Sequence, residues 1–180
     1  MTGSLEASVS FAQSQIMPTK HGIEGDVQPY LTALRTSLIM VKPKRSDLNV
    51  DTPLRVTAID NQGRILGSMN LNPPKQLPKT AYDIDGAPEE DLVYADNTWS
   101  LKLPPNWIQP GIKMQFNHGE LSGELNGIKV GAPTELLIHT IDIGMLTKPR
   151  DSFHFAKDTS AHREYFQTVP VSRLTVSQYE

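Results

Sequence analysis

An all-β fold, an antiparallel Ig-like β-sandwich with an irregular C-terminal extension, is predicted by three features of this 180-residue sequence. Apolar residues recur at every second position in a series of short segments, the period of a strand with one buried face. No segment carries the 3.6-residue apolar stripe of an amphipathic helix. The 14 prolines and 12 glycines fall between the segments at roughly strand-length intervals, where the chain has to turn. Seven or eight short strands without helices fit a sandwich of about immunoglobulin size. The likeness is one of architecture alone, because the chain has no cysteine and so lacks the Cys-Trp-Cys signature of that fold.

The segments follow in order. Leu5, Ala7, Val9 and Phe11 alternate with Glu6, Ser8 and Ser10. Residues 37–41 (SLIMV) are continuously apolar, as in a strand covered on both faces. Leu54, Val56 and Ala58 alternate with Arg55 and Thr57; Asn61-Gln62-Gly63 then makes a turn, and Ile65, Met69 and Leu71 are expected to face the core. That pair reads as a β-hairpin. Residues 72–79 (NPPKQLPK) have three prolines, which lack ladder donors, and form a crossover or edge segment. Trp99, Leu101 and Leu103 share a face, and Ile112, Met114 and Phe116 alternate without exception with Lys113, Gln115 and Asn117. Residues 121–130, with Gly123 and Gly127, suit two short strands or a bulged one. Residues 135–143 are expected to close the sandwich as its last strand. Residues 173–179 read as a further strand without a sheet of its own. Helical turns are expected only at 28–35 and 161–166, the latter with Asp158, Thr159 or Ser160 as cap.

A chain of this length buries roughly 70% of its unfolded surface, enough for one core. A net charge of -3 gives no electrostatic case for nucleic acid. Without cysteine there is neither a disulfide nor a thiolate metal site. No apolar run is long enough for a membrane-spanning helix, and the start, MTGSLEAS, has no signal-peptide pattern.

Candidate chemistry is sparse. The five histidines are His21, His118, His139, His154 and His162, and none belongs to an HExxH. His139 and Asp142 fall on opposite faces of one strand, so they do not converge on a metal. No GxSxG elbow occurs. Glu89, Glu90 and Asp91 lie together in an acidic stretch (83–97), which reads as a solvated loop. No catalytic and no metal-binding residue is therefore assigned. Trp107, beside two prolines, is a candidate glycan contact; its plainer reading is a plug at one end of the sandwich. The aromatic and charged segment around 150–166 has no place in the strand pattern. Arg150, Phe153, Phe155, Arg163, Glu164, Tyr165 and Phe166 are assigned to an interdomain interface, where aromatics and arginine are the usual anchors.

Several stretches carry a resemblance: SFAQSQIMP (10–18), TSLIMVKP (36–43), WSLKLPPNWIQPG (99–111), GAPTELLIHTIDIGML (131–146) and AHREYFQTVPVSRLTVSQY (161–179). Together they resemble the StcE/TagA family of secreted bacterial zinc metalloproteases, dictomallein among its relatives, which cleave mucin-type O-glycoproteins. The resemblance covers the region that precedes the catalytic domain in that family. It implies a sandwich domain over 1–150 and, over 151–180, a linker with the first segment leading into a protease domain. That domain holds zinc on an HExxHxxGxxH motif, which this sequence does not contain, so this chain itself is expected to carry no cofactor and no catalysis. The implied role is to support and orient the protease domain, its main partner, with O-glycosylated glycoproteins as a further one. The implied location is secreted or cell-surface. A free-standing glycan-binding or adhesin-type sandwich is the alternative. Some members carry an inserted domain near the position of the short 83–97 loop, and nothing that insertion does is carried over.

Overall fold

The computed structural model describes residues 1–14, 16–18, 30–44, 48–74, 98–140, 169 and 171–178. Eleven strands occur among them: β1 (Thr2–Gly3), β2 (Ala7–Ala12), β3 (Ile16–Pro18), β4 (Ser37–Pro43), β5 (Leu54–Ile59), β6 (Ile65–Leu71), β7 (Trp99–Leu103), β8 (Lys113–His118), β9 (Leu121–Leu125), β10 (Glu135–Thr140) and β11 (Arg173–Gln178). A five-stranded antiparallel sheet has the order β1-β9-β8-β5-β6, and a four-stranded antiparallel sheet the order β3-β2-β4-β7. One core cluster draws on both. Val9, Phe11, Ile39, Val41, Trp99 and Leu103 come from the smaller sheet, and Leu54, Val56, Ala58, Met114 and Phe116 from the larger, so the two sheets pack face to face as a sandwich.

The β8 alternation is realised without exception. Met114 and Phe116 are fully buried, while Lys113, Gln115 and Asn117 face solvent. Strand β4 is buried along both faces, as its unbroken apolar run requires: Ile39 and Val41 belong to the core cluster, and Met40 and Lys42 are buried on the other side.

The β5–β6 hairpin forms as expected, but one inward assignment is corrected. The register shifts between Ala58 and Ile59, with Ala58 opposite Gly67 and Ile59 opposite Ile65. Leu66 is therefore an extra residue in β6. It turns toward the core with Met69, and Ile65 is left 69% exposed. A bulge of one residue exchanges the faces on either side of it.

The hairpin turn is closed by Asp60, whose carboxylate is buried. It accepts hydrogen bonds from Gln62 N (2.8 Å) and Arg64 N (2.9 Å), and its other oxygen pairs with Arg64 Nε at 2.7 Å. Gly63, at φ 81°, supplies the left-handed residue of the turn. The Arg64 amide, followed by its guanidinium and the Gln62 amide, holds the Asp60 carboxyl below its ordinary value of 3.8. A depressed carboxylate contributes stability above its unfolded pKa, and that contribution is lost as pH falls through the folded value. Asp60→Asn should therefore lower the melting temperature at neutral pH. Its deficit against the unsubstituted protein should shrink as pH drops below about 3.8 in thermal melts; a deficit that stays constant down to strong acid would show that the charge of Asp60 is not what closes the turn.

Two further expectations are corrected. Residues 30–35 form no helical turn: Leu31 makes a parallel bridge to Val130, and the chain then turns at Ala33 and Leu34. Strand β10 does not close the sandwich. It pairs in parallel with β11, in register from Glu135–Arg173 to Thr140–Gln178, as a separate two-stranded ribbon. Residues 121–130 give one strand, β9, and that single bridge at Val130. The candidate helical turn at 161–166 and the acidic loop at 83–97 lie outside the described residues.

Candidate interdomain junction

The sandwich and the ribbon meet at the turn 31–35, and the sandwich fixes this turn from three directions. Leu31 N donates to Lys129 O at 2.9 Å, and Gly131 N returns the bond to Leu31 O at 2.8 Å. Leu34 N donates to Ile108 O at 2.9 Å. The third tie is the carboxamide of Gln13, just past β2. Its oxygen accepts Thr32 N (2.8 Å), and its nitrogen donates to Thr32 O (2.9 Å) and Arg35 O (3.4 Å). A side-chain amide that reads both the N–H and the C=O of one residue stands in for a neighbouring strand. Held this way, Leu34 adopts φ 56°, a conformation that a leucine reaches only when its surroundings impose it.

From this turn, side chains and carbonyls grip the start of β11. The Arg35 guanidinium, in a residue only 7% exposed, donates to the carbonyls of Val169 and Val171, the latter at 3.3 Å. Val171 N closes a tight turn back to Val169 O at 2.8 Å. Ser172 Oγ donates to Ala33 O at 2.5 Å and accepts Thr134 N at 2.9 Å. Thr134 O in turn accepts Ser172 N and Arg173 N at 2.7 and 3.2 Å. The Val171 side chain is buried. Burial lowers the pKa of Arg35 from its ordinary value, yet a guanidinium stays charged in a protein, so its removal from water has to be offset by good acceptors. Here the two backbone carbonyls supply them.

The ribbon is amphipathic. Glu135 and Arg173 lie side by side on one face, with their charged atoms 3.5 Å apart, and Thr175 Oγ1 donates to Glu135 at 2.8 Å. Alternation puts Leu136 and Ile138 on the other face, opposite Leu174 and Val176. These four are half-buried at best, Val176 being 36% exposed; on the polar face Leu137 is 53% exposed. Parallel strands are normally covered on both sides, and a lone two-stranded pair is marginal.

Among the described residues no group of three His, Asp or Glu side chains is placed to hold a metal. His118 is buried, with Nε2 3.0 Å from Asn49 O and its ring edge-on to Trp99. A shallow groove of about 440 Å³ runs between Thr2 and Glu124 on one side and Gln115 and Asn117 on the other. Its one carboxylate, Glu124, is taken by Asn126 Nδ2 at 2.6 Å. The described residues do not fit a zinc site.

Of the residues singled out from sequence, Trp107 is 4% exposed and its indole lies over Gly67, so the ring face that a sugar would need is covered. The interface set Arg150, Phe153, Phe155, Arg163, Glu164, Tyr165 and Phe166 lies outside the described residues. Sequence reasoning missed Gln13, Arg35 and Ser172. For Arg35 a signal was present. Leu31, Ala33, Arg35, Ser37 and Ile39 alternate into the interior, and a charge in that register has to meet a partner.

Comparison with known proteins places the chain in a family. The peptidase M66 family model matches residues 88–180, which run from before β7 through the sandwich into β11. The metalloprotease StcE of Escherichia coli O157:H7 is 35% identical, over 99% of this chain and 32% of its own length. The ToxR-activated gene A lipoprotein of Vibrio cholerae is 34% identical, over 98% of this chain and 18% of its own. A dictomallein-like protein of Hahella chejuensis is 28% identical over 60% of this chain. The chain thus spans 32% and 18% of the lengths of these two relatives, under a third of either. The alignment with StcE extends over 291 residues, against 182 for the lipoprotein, so StcE carries over a hundred residues that have no counterpart in this 180-residue chain.

Proposed function

Because the chain belongs to the peptidase M66 family, we propose that it is a non-catalytic region that supports and orients the zinc protease domain of a secreted or cell-surface enzyme acting on mucin-type O-glycoproteins. The observation that carries this reading is the ribbon. Its Leu136, Ile138, Leu174 and Val176 face is too apolar to stand in water, and its parallel pairing calls for cover. A protease domain beginning on that face would bury it. The clasp at Arg35 and Ser172 would then pass the orientation of the sandwich to the catalytic unit. The chain's own residues contribute no acid, base or metal ligand to hydrolysis. Their work is to hold the first strands of the neighbouring domain in place. Relatives named as a metalloprotease and as a lipoprotein fit an enzyme that works outside the cytoplasm, and no described helix is long and apolar enough to cross a membrane.

The test compares this 180-residue chain with a longer form that extends through an HExxHxxGxxH helix. After chelation and reloading with zinc, the 180-residue chain should retain no metal and leave an O-glycosylated mucin intact, while the longer form should hold zinc and cleave it. One tightly held zinc per 180-residue chain, or any turnover by it, overturns the proposal.

A further inference from the structure

Nothing in the family match assigns a role to Arg35, which lies outside the matched residues 88–180, whereas the groups it binds lie inside them. We propose that Arg35 is a positioning residue: a latch that fixes the angle of the β10–β11 ribbon against the sandwich.

Three observations carry the inference. The guanidinium reaches across 134 residues of sequence, where its Nη1 donates to the carbonyls of both Val169 and Val171, so it holds the backbone at the start of β11. Second, the turn that presents Arg35 is braced independently of the ribbon, by Gln13, Lys129 and Ile108. The latch therefore has a fixed base, and the strained Leu34 shows how tightly that base is defined. Third, the first strand of the ribbon is tied in parallel. Only residues 131–134 separate the Val130 bridge from β10, and Thr134 is bonded to Ser172, which is itself bonded to Ala33. Both strands are thus anchored at their N-terminal ends to one turn of the sandwich. An element anchored at one end swings about that anchor unless the anchor has at least two non-collinear contacts. Arg35 and Ser172 provide them.

The experiment is amide hydrogen exchange on the 180-residue chain, with Arg35→Lys and, independently, Ser172→Ala. A lysine keeps the charge but its stem is one bond shorter, so its ammonium falls short of the place of Nη1, and the alanine removes the relay without touching the charge. In both variants the alternate amides of β11 that bond to β10 should exchange roughly tenfold faster or more, the size expected when one charge-assisted or buried hydrogen bond is lost. Those of Val56, Met114 and Phe116 should be unchanged. Ribbon amides that do not respond to either substitution, or that accelerate together with the core amides, overturn the latch. Its importance for proteolysis rests on the supporting role proposed above, and a second arm separates the two. In the longer zinc-loaded form, Arg35→Lys should lower turnover of a mucin at unchanged zinc content. If the ribbon loosens and turnover does not change, the latch stands and the supporting role fails.

Discussion

Phe116→Ala should cost about 3–5 kcal/mol of unfolding free energy, a large share of the 5–15 kcal/mol typical of a whole domain. Phe116 has no exposed surface, and β8 lies between β5 and β9 in the five-stranded sheet, so its ring fills the middle of the sandwich. Its register partners are Val56 on β5 and Gly123 on β9. Gly123 has no side chain, and Met1 occupies the space above it, with Sδ 2.8 Å from where a β-carbon would sit. Methionine is the side chain that adapts most readily to an irregular gap. Collapse of Met1 toward the vacated ring would therefore hold the cost near the lower end of the range. Chemical denaturation with a two-state fit measures it; a loss below ~1 kcal/mol would place β8 at an exposed edge rather than at the centre of the core.

Strand β8 was legible because a strand with one wet and one dry face writes its own register into the sequence: Met114 and Phe116 against Lys113, Gln115 and Asn117. The same rule failed at Ile65, because the bulge at Leu66 inserts one residue and reverses the parity before it, and nothing in RILGSM marks that insertion. Residues 135–140 were legible as a strand, but the sheet assigned to them, the sandwich, was the wrong one. An apolar run reports that a segment wants cover, whereas the choice between a sandwich edge and β11, 38 residues further on, is made by contacts at the far end of the chain. The junction shows the same division. The aromatic segment at 150–166 drew attention by its composition. Arg35, Gln13 and Ser172 have ordinary compositions around them and gain their meaning only when Val169 and Val171 are brought beside the turn. Even there the alternation of Leu31, Ala33, Arg35, Ser37 and Ile39 held the warning of a charge pointing inward.

The covered ring of Trp107 leads to the second large effect. Trp107→Ala should cost about 3–5 kcal/mol, the behaviour of a core plug rather than of a sugar platform. The side chain is set by a short 3-10 turn, Pro105–Trp107, entered from Pro104 at φ -60° and closed by Trp107 N to Pro104 O at 3.0 Å and Ile108 N to Pro105 O at 3.1 Å. Two successive prolines fix the backbone there, so the indole has little freedom to retreat. It lies against Gly67 of β6, where an added β-carbon would stand 2.8 Å from Cζ2 and 3.3 Å from Cε2. A glycine inside a strand weakens it, so its presence here answers to the close approach of the ring. Gly67→Val alone should then be destabilising by about 1–3 kcal/mol through overpacking. In the Trp107→Ala background the same valine meets a hole instead of a ring, and should cost nothing or restore part of the loss. Denaturant melts of the four proteins form a double-mutant cycle, and residues in contact should show a coupling of roughly 0.5–3 kcal/mol. Additive costs would mean that the indole does not rest on Gly67. A Trp107→Ala loss below ~1 kcal/mol would return the ring to the surface and reopen its use as a glycan contact.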